Sequence, residues 1–224
     1  MIRNKTILAT LLALTIAAGA KTGAADLAPI DLKLPIPAFM GTPTDVPASE
    51  HLEKPADKPR APFMAPAGVK NVAKDKKVTS SDKSPITGTL DLITDGDKES
   101  NDSSYVELHR KVQWVQIDLE ADFNMYAIMV WHAHNTPQVY NSVIVQVADD
   151  ADFTKNVRTI FNNDYENAVG LGAGKDKQYY ENYEGKLIDA KGEKARYVRL
   201  YSKGSTFSAL NRYTEVEVYA LAAK

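Results

Sequence analysis

Three groups of residues have types and spacings that could do chemistry. Asp95-Gly96-Asp97, with Glu99 and Ser100 just downstream, places hard oxygen donors on a glycine-bearing turn, as a calcium site requires. The spacing is not that of an EF-hand, because no glycine falls at the sixth position and no glutamate at the twelfth. The same residues also read as a solvated Asp-Gly turn, and composition alone leaves both readings open. His132 and His134 stand two apart, so on a strand both imidazoles share a face, as a two-point metal grip needs. Nothing near them in sequence supplies a third ligand, and the pair reads as hydrogen-bonding groups at a strand end. Gly170-Leu-Gly-Ala-Gly-Lys-Asp176 invites comparison with phosphate-binding loops and fails both patterns. Val169 stands where the first Walker glycine belongs, Asp176 where a serine or threonine belongs, and Lys175 where a dinucleotide loop needs glycine. There is no cysteine, no Gly-x-Ser-x-Gly elbow and no carboxylate pair in a glycosidase context, so no catalytic apparatus is recognisable.

The elements that position these groups are short strands. From Asn71 onward, apolar segments with period-two alternation and many β-branched or aromatic residues are separated by polar turns. The clearest are Trp114 to Leu119, Tyr126 to His132, Ser142 to Ala148, Arg196 to Tyr201 and Thr214 to Tyr219. In the last, Thr214, Val216 and Val218 share one face and Glu215, Glu217 and Tyr219 the other, the pattern of a strand with one face on a core. Trp114 is expected as a large apolar contact inside the sandwich. No long amphipathic helix competes, so the fold class is all-β, a sandwich or jelly roll rather than an α/β enzyme fold.

Upstream the sequence is organised differently. Basic Met1 to Lys5 and the apolar run Thr6 to Ala18, too short to span a bilayer, read as a secretory signal peptide (1–25) cleaved after Ala20 or Ala25. No lipobox cysteine follows it and no later stretch is apolar enough for a transmembrane segment, so a secreted or periplasmic protein is expected. Nine of the eleven prolines lie between Pro29 and Pro66, which makes 26–70 an extended proline-rich arm. Its apolar groups Leu32, Leu34, Ile36, Phe39, Phe63 and Met64 are able to dock along a folded surface. Without cysteine the domain at 71–224 has no disulfide and depends on its core, helped by a metal ion if one is bound. Losing Arg3, Lys5 and Lys21 with the leader takes the 27 basic residues to 24 against 29 acidic ones, a net charge of −5 that argues against a nucleic-acid partner.

Six segments in this order resemble the discoidin domain, also called the coagulation-factor type C domain, of the galactose-binding-like superfamily. They are Asn71 to Ser81, Leu92 to Asp97, Trp114 to Leu119, Val143 to Asp150 with Phe153, Arg196 to Tyr201, and Thr214 to Tyr219. The resemblance covers about Asn71 to Leu221 and implies a jelly-roll β-sandwich of about eight strands that binds glycans, lipids or proteins through loops at one end. Two departures stand out: the cysteine pair of many animal members is missing, and a long insertion runs from Phe161 to Gly185.

The resemblance also implies a structural calcium held by the Asp95, Asp97, Ser100 loop together with Glu215 and the carbonyl of Thr214. It places Tyr105, His132, His134, Phe207, Asn211 and Arg212 in loops or at strand ends, where rings meet sugar C–H faces and polar groups meet hydroxyls. The expected function is a non-catalytic exported module for carbohydrate binding or adhesion, with a glycan or cell-surface polysaccharide as partner. The alternative is a structural protein–protein module whose arm docks on an envelope protein.

Overall fold

The computed structural model describes residues 26–39, 49–56 and 58–223. The signal peptide and both cleavage positions lie outside the described residues. The elements are β1 (Leu27–Pro29), β2 (Met64–Pro66), β3 (Lys70–Asn71), β4 (Val78–Ser80), a turn of 3-10 helix at Leu90–Ile93, β5 (Val106–Leu108), β6 (Gln113–His132), β7 (Ile144–Ala148), β8 (Arg158–Asn162), β9 (Lys186–Ser202) and β10 (Asn211–Ala222).

Two long antiparallel strands, β6 and β9, build the sandwich by crossing from one sheet to the other. Their C-terminal and N-terminal halves pair twice: Gln113–Asp118 with Ser202–Tyr197, and Ala127–Val130 with Asp189–Lys186, with register shifts between. The first half of β6 carries β4 on its free edge, and the second half of β9 carries β7 and then β8. The second half of β6 carries β10, whose outer edge takes β5 at one end and β3 at the other. Both corners are made alike. Glu120 (φ 69°) and Lys191 (φ 53°) adopt left-handed conformations, and each donates its N–H to the aspartate two residues earlier, at 2.8 Å to Asp118 and 2.9 Å to Asp189. Trp114 to Leu119 and Tyr126 to His132 are therefore one bent strand rather than two, and β9 begins ten residues before Arg196.

Alternation then sorts the side chains. Val115, Ile117 and Leu119 turn inward with Val145, Val147, Val198 and Leu200, and meet Ile128, Val130, Ile188, Val216 and Val218 of the facing sheet. Trp114 is consequently on the outer face, half-buried, with the Arg199 guanidinium 4.5 Å from its ring centre. The expectation of an interior Trp114 is corrected by the same period-two rule that identifies its strand.

The outer face of the second sheet is not left to solvent. Ala127, Met129, Trp131 and Tyr219 form a second apolar cluster, covered by Ile30, Leu32, Phe63 and Val69 of the arm and by Leu187. Strands β1 and β2 pair as a ribbon, extended by Ile30 N–H to Phe63 carbonyl at 2.9 Å. Leu32 and Phe63 thus dock, whereas Leu34, Ile36 and Met64 stay exposed. Proline does not prevent this, because Pro29 and Pro66 lie in a narrow ribbon whose other residues supply the donors.

Candidate functional site

The loops before β6, after β6, after β8 and after β9 gather at one end of the sandwich, since Gln113 pairs with Ser202, Ile144 with Asn162 and Tyr201, and Tyr213 with His132. The residues expected to line this end are mostly interior. His132 is fully buried, its Nδ1 2.6 Å from Glu181 Oε1 and its ring stacked on Tyr140 at 4.1 Å. His134 is buried too: its N–H donates to Ser100 Oγ at 2.7 Å, and its Nε2 lies 2.9 Å from the Lys98 carbonyl. Asn211 is a buried brace, donating to the carbonyls of His109 and Lys111 and accepting from Ser202 and Gly204. Tyr105 is buried beneath Arg212, whose guanidinium lies 5.3 Å from the ring centre and is ion-paired with Glu107. Phe207, 60% exposed, stands apart as an open aromatic surface.

What the end of the sandwich does offer is a polar cleft of about 290 Å3, lined by Asn141, Ser142, Asn163, Tyr165, Glu166 and Lys203 among others. Most of it is built by the insertion. Asp164 folds that loop by accepting the N–H groups of Ala168 at 3.0 Å and Val169 at 2.8 Å, while its carbonyl accepts from Gly174 at 2.9 Å. Position 174 has to be glycine: a Cβ there would fall 2.2 Å from the Asn162 carbonyl oxygen. Asn163 is anchored by its Oδ1, which accepts the Val143 N–H at 2.7 Å, and its Nδ2 is buried without a partner. The arm straps the insertion from outside. Gln178 exchanges backbone hydrogen bonds with His51 and Glu53, both at 2.8 Å, and the His51 ring stacks on Tyr165 at 3.8 Å and 8°. These cleft residues were not singled out from sequence; the signal available was an insertion rich in Asn, Asp, Tyr and Gly.

The Asp95 loop meets β10 at the side of the sandwich. Glu215 is fully buried, its Oε2 accepts the Gly96 N–H at 3.1 Å, and its Oε1 has no partner. Burial, with Glu217 and Asp95 nearby, pushes its carboxyl up to about 9. Burial also raises Asp95, whose Oδ1 accepts the Asp97 N–H at 2.8 Å. Thr214 Oγ1 is buried and unpartnered. Asp97 and Ser100 are engaged locally, Asp97 by Glu99 N–H and Ser104 Oγ, Ser100 by His134 N–H. Among the described residues no three His, Cys, Asp or Glu side chains converge as a metal group. The Lys74 ammonium also reaches the Asp95 carbonyl at 2.7 Å. The fit to a hard cation therefore rests on the Glu215 end: a buried carboxylate oxygen in need of a partner beside the Asp95 turn.

No family model and no curated protein matches the sequence. Among solved structures, the chain is similar to a family 89 glycoside hydrolase from Clostridium perfringens, at 19% identity over 68% of this chain and with a TM-score of 0.50. It spans 15% of that hydrolase's length. The chain has the discoidin-type fold. Other similar structures are a Streptococcus pneumoniae fucose binding module (17% identity, 68% of this chain and 98% of that one, TM-score 0.48) and a chitosan-binding module of a Paenibacillus chitosanase/glucanase (19%, 67% and 98%, TM-score 0.42). Within the discoidin-type sandwich described here, the insertion and the arm are what shape the loop end.

Proposed function

We propose that this protein is an exported, non-catalytic carbohydrate-binding module that engages a glycan or cell-surface polysaccharide at the loop end of its sandwich. The observation that supports this reading most directly is the cleft at that end, whose lining combines amide, hydroxyl, carboxylate and ammonium residues with a tyrosine. Sugar recognition draws on that mixture, polar groups for hydroxyls and a ring for the C–H face. Solved structures of similar fold include sugar-binding modules, and the leader read from the sequence carries the reading to the secreted or periplasmic space. Among the described residues no helix is long and apolar enough to cross a membrane.

A calcium ion belongs to this proposal as a structural part, with Glu215 and Asp95 as its holders and no role in a reaction. The competing protein–protein reading had the arm docking on a partner, but Leu32 and Phe63 of the arm already lie against the chain's own sheet. A glycan array probed with the full mature chain, in calcium and in chelator, tests the function. Selective binding to a set of related glycans is expected. An array without a single signal in calcium, alongside capture of a defined envelope protein, would replace the reading with the protein–protein one.

A further inference from the structure

A second cavity lies away from the loop end, between the arm and the outer face of the second sheet, and carries an inference independent of the glycan-binding reading. Its volume is about 590 Å3, inside the roughly 300–1,000 Å3 range of small-molecule sites. The arm side supplies an apolar wall of Pro29, Ile30, Pro66 and Val69. The sheet side supplies a charged floor, Glu217 and Tyr219 of β10 with Lys98 just past the Asp95 turn.

The floor sets this cavity apart. Lys98 and Glu217 pair at 2.8 Å with 9% and 6% of their side chains open, and both border the cavity, so what remains open of them faces it. Glu217 is satisfied on its other side, where Oε2 accepts the Tyr219 hydroxyl at 2.9 Å. Lys98 has capacity left. An ammonium carries three donors; Glu217 takes one, and the Trp131 ring, centred 5.2 Å away, offers only its π face. A largely buried cation with a donor to spare gains from an acceptor that enters through the cavity. Charge at the mouth favours the same kind of ligand. Lys74 is engaged by the Asp95 carbonyl and by Asp75, which leaves the exposed Lys33 and Lys70 against Asp31. With Lys98 and Glu217 balancing each other, the lining keeps a small positive excess.

We propose that the cavity between the arm and the second sheet binds a small organic monoanion, a carboxylate on a compact apolar body. The carboxylate accepts from the Lys98 ammonium, the body lies against Ile30, Val69 and the two prolines, and Lys33 and Lys70 draw the ligand in. One negative charge matches the small positive excess. A cation would meet the Lys98 ammonium, and a phosphate dianion would bring a second charge beside Glu217.

The test is titration calorimetry and thermal melting of the full mature chain with benzoate, phenylacetate and hexanoate, set against benzyl alcohol, benzylamine, phenylalanine and inorganic phosphate. At least one of the three acids should bind and raise the melting temperature, with benzyl alcohol at least about tenfold weaker. Lys33→Gln with Lys70→Gln, both at exposed positions, should weaken acid binding about threefold and leave the ligand-free melting temperature unchanged. Lys98→Met with Glu217→Gln removes the pair together, leaves no unpaired buried charge, and should abolish the preference for acid over alcohol. Ala28→Leu, which fills the cavity from the arm side, should weaken acid and alcohol alike. Equal binding of acid and alcohol, or tighter binding of benzylamine or phenylalanine, would overturn the monoanion class. Phosphate bound as tightly as the acids would reduce the site to surface charge and overturn it too. Absence of heat and of a melting shift with all three acids would overturn the site itself. The glycan array, repeated in the tightest acid, should be unchanged because the loop end lies elsewhere; an array empty with and without acid would overturn the glycan reading and leave this one standing.

Discussion

Glu215 is the residue whose protonation most directly reports its environment. Unfolded, it ionises at its ordinary value near 4.5; folded, burial holds the proton to about 9. The sign follows: stability fully present below 4.5 is lost as pH rises toward 9, at up to about 1.4 kcal/mol per pH unit. In chelator, the melting temperature should therefore fall between pH 5 and pH 8. Calcium should flatten that fall, because the ion replaces the proton at the unpartnered Oε1. Glu215→Gln should remove both the slope and the calcium response, and Asp95→Asn should weaken the response. Glu217→Gln is the informative control. It strips the buried Lys98 of its 2.8 Å partner and should cost about 3 kcal/mol or more, yet the calcium shift should persist. A melting temperature indifferent to calcium, chelator and pH across this window would return Asp95-Gly96-Asp97 to a plain turn.

At the scale of elements, the fold depends on two corners and one close approach. Asp118 caps the β6 corner through Glu120 N–H and also accepts from Arg196 Nε and Nη2, at 2.7 and 2.8 Å. Those hydrogen bonds from Arg196 hold its carboxyl below the usual range. Both side chains are about a third exposed, so solvent screens the pair. Asp118→Ala should cost about 1–2 kcal/mol in urea unfolding, and Arg196→Ala less, because the cap remains. Where the insertion returns to β9, Gly185 (φ 63°) lies under the Trp131 indole, and a Cβ would come within 2.5 Å of its ring. Gly185→Ala should therefore destabilise by about 1–3 kcal/mol, and the disturbed Trp131 should show in fluorescence. An unchanged midpoint and spectrum would mean that this approach is looser than described. Trp114, half-buried on an outer face, should lose less on truncation than the about 3–5 kcal/mol of a fully buried tryptophan.

For the whole molecule, the arm is a third layer over the second sheet, not a tether to it. Arg60 fastens it by donating to the carbonyls of Glu184 at 2.6 Å and Gly185 at 2.7 Å, and Lys186 pairs with Glu53 at 2.8 Å. Removing Asp26 to Pro66 would uncover Met129, Trp131 and Tyr219 and leave Lys98 and Glu217 facing water. The truncated chain should melt many degrees lower, bind an apolar dye and aggregate more readily. A melting temperature within a degree of the full chain would show that the arm adds nothing to the packing of the second sheet.

The sequence by itself determined the all-β class, the main strands and the inward face of β10, because period-two alternation is local and survives without knowledge of the partner strand. The Asp95 turn was legible too, and its closeness to Glu215 came from the family resemblance. Only the tertiary structure decided which polar groups reach solvent. His132, His134 and Asn211 look like ligand groups in sequence and are internal braces, since their partners Glu181, Lys98 and Ser202 lie 49, 36 and 9 residues away. The arm and the insertion were least legible for the same reason. Proline, asparagine and glycine announce irregular backbone, but where such backbone lies is set by contacts such as Phe63 on the second sheet and His51 on Tyr165, made between residues far apart in the chain.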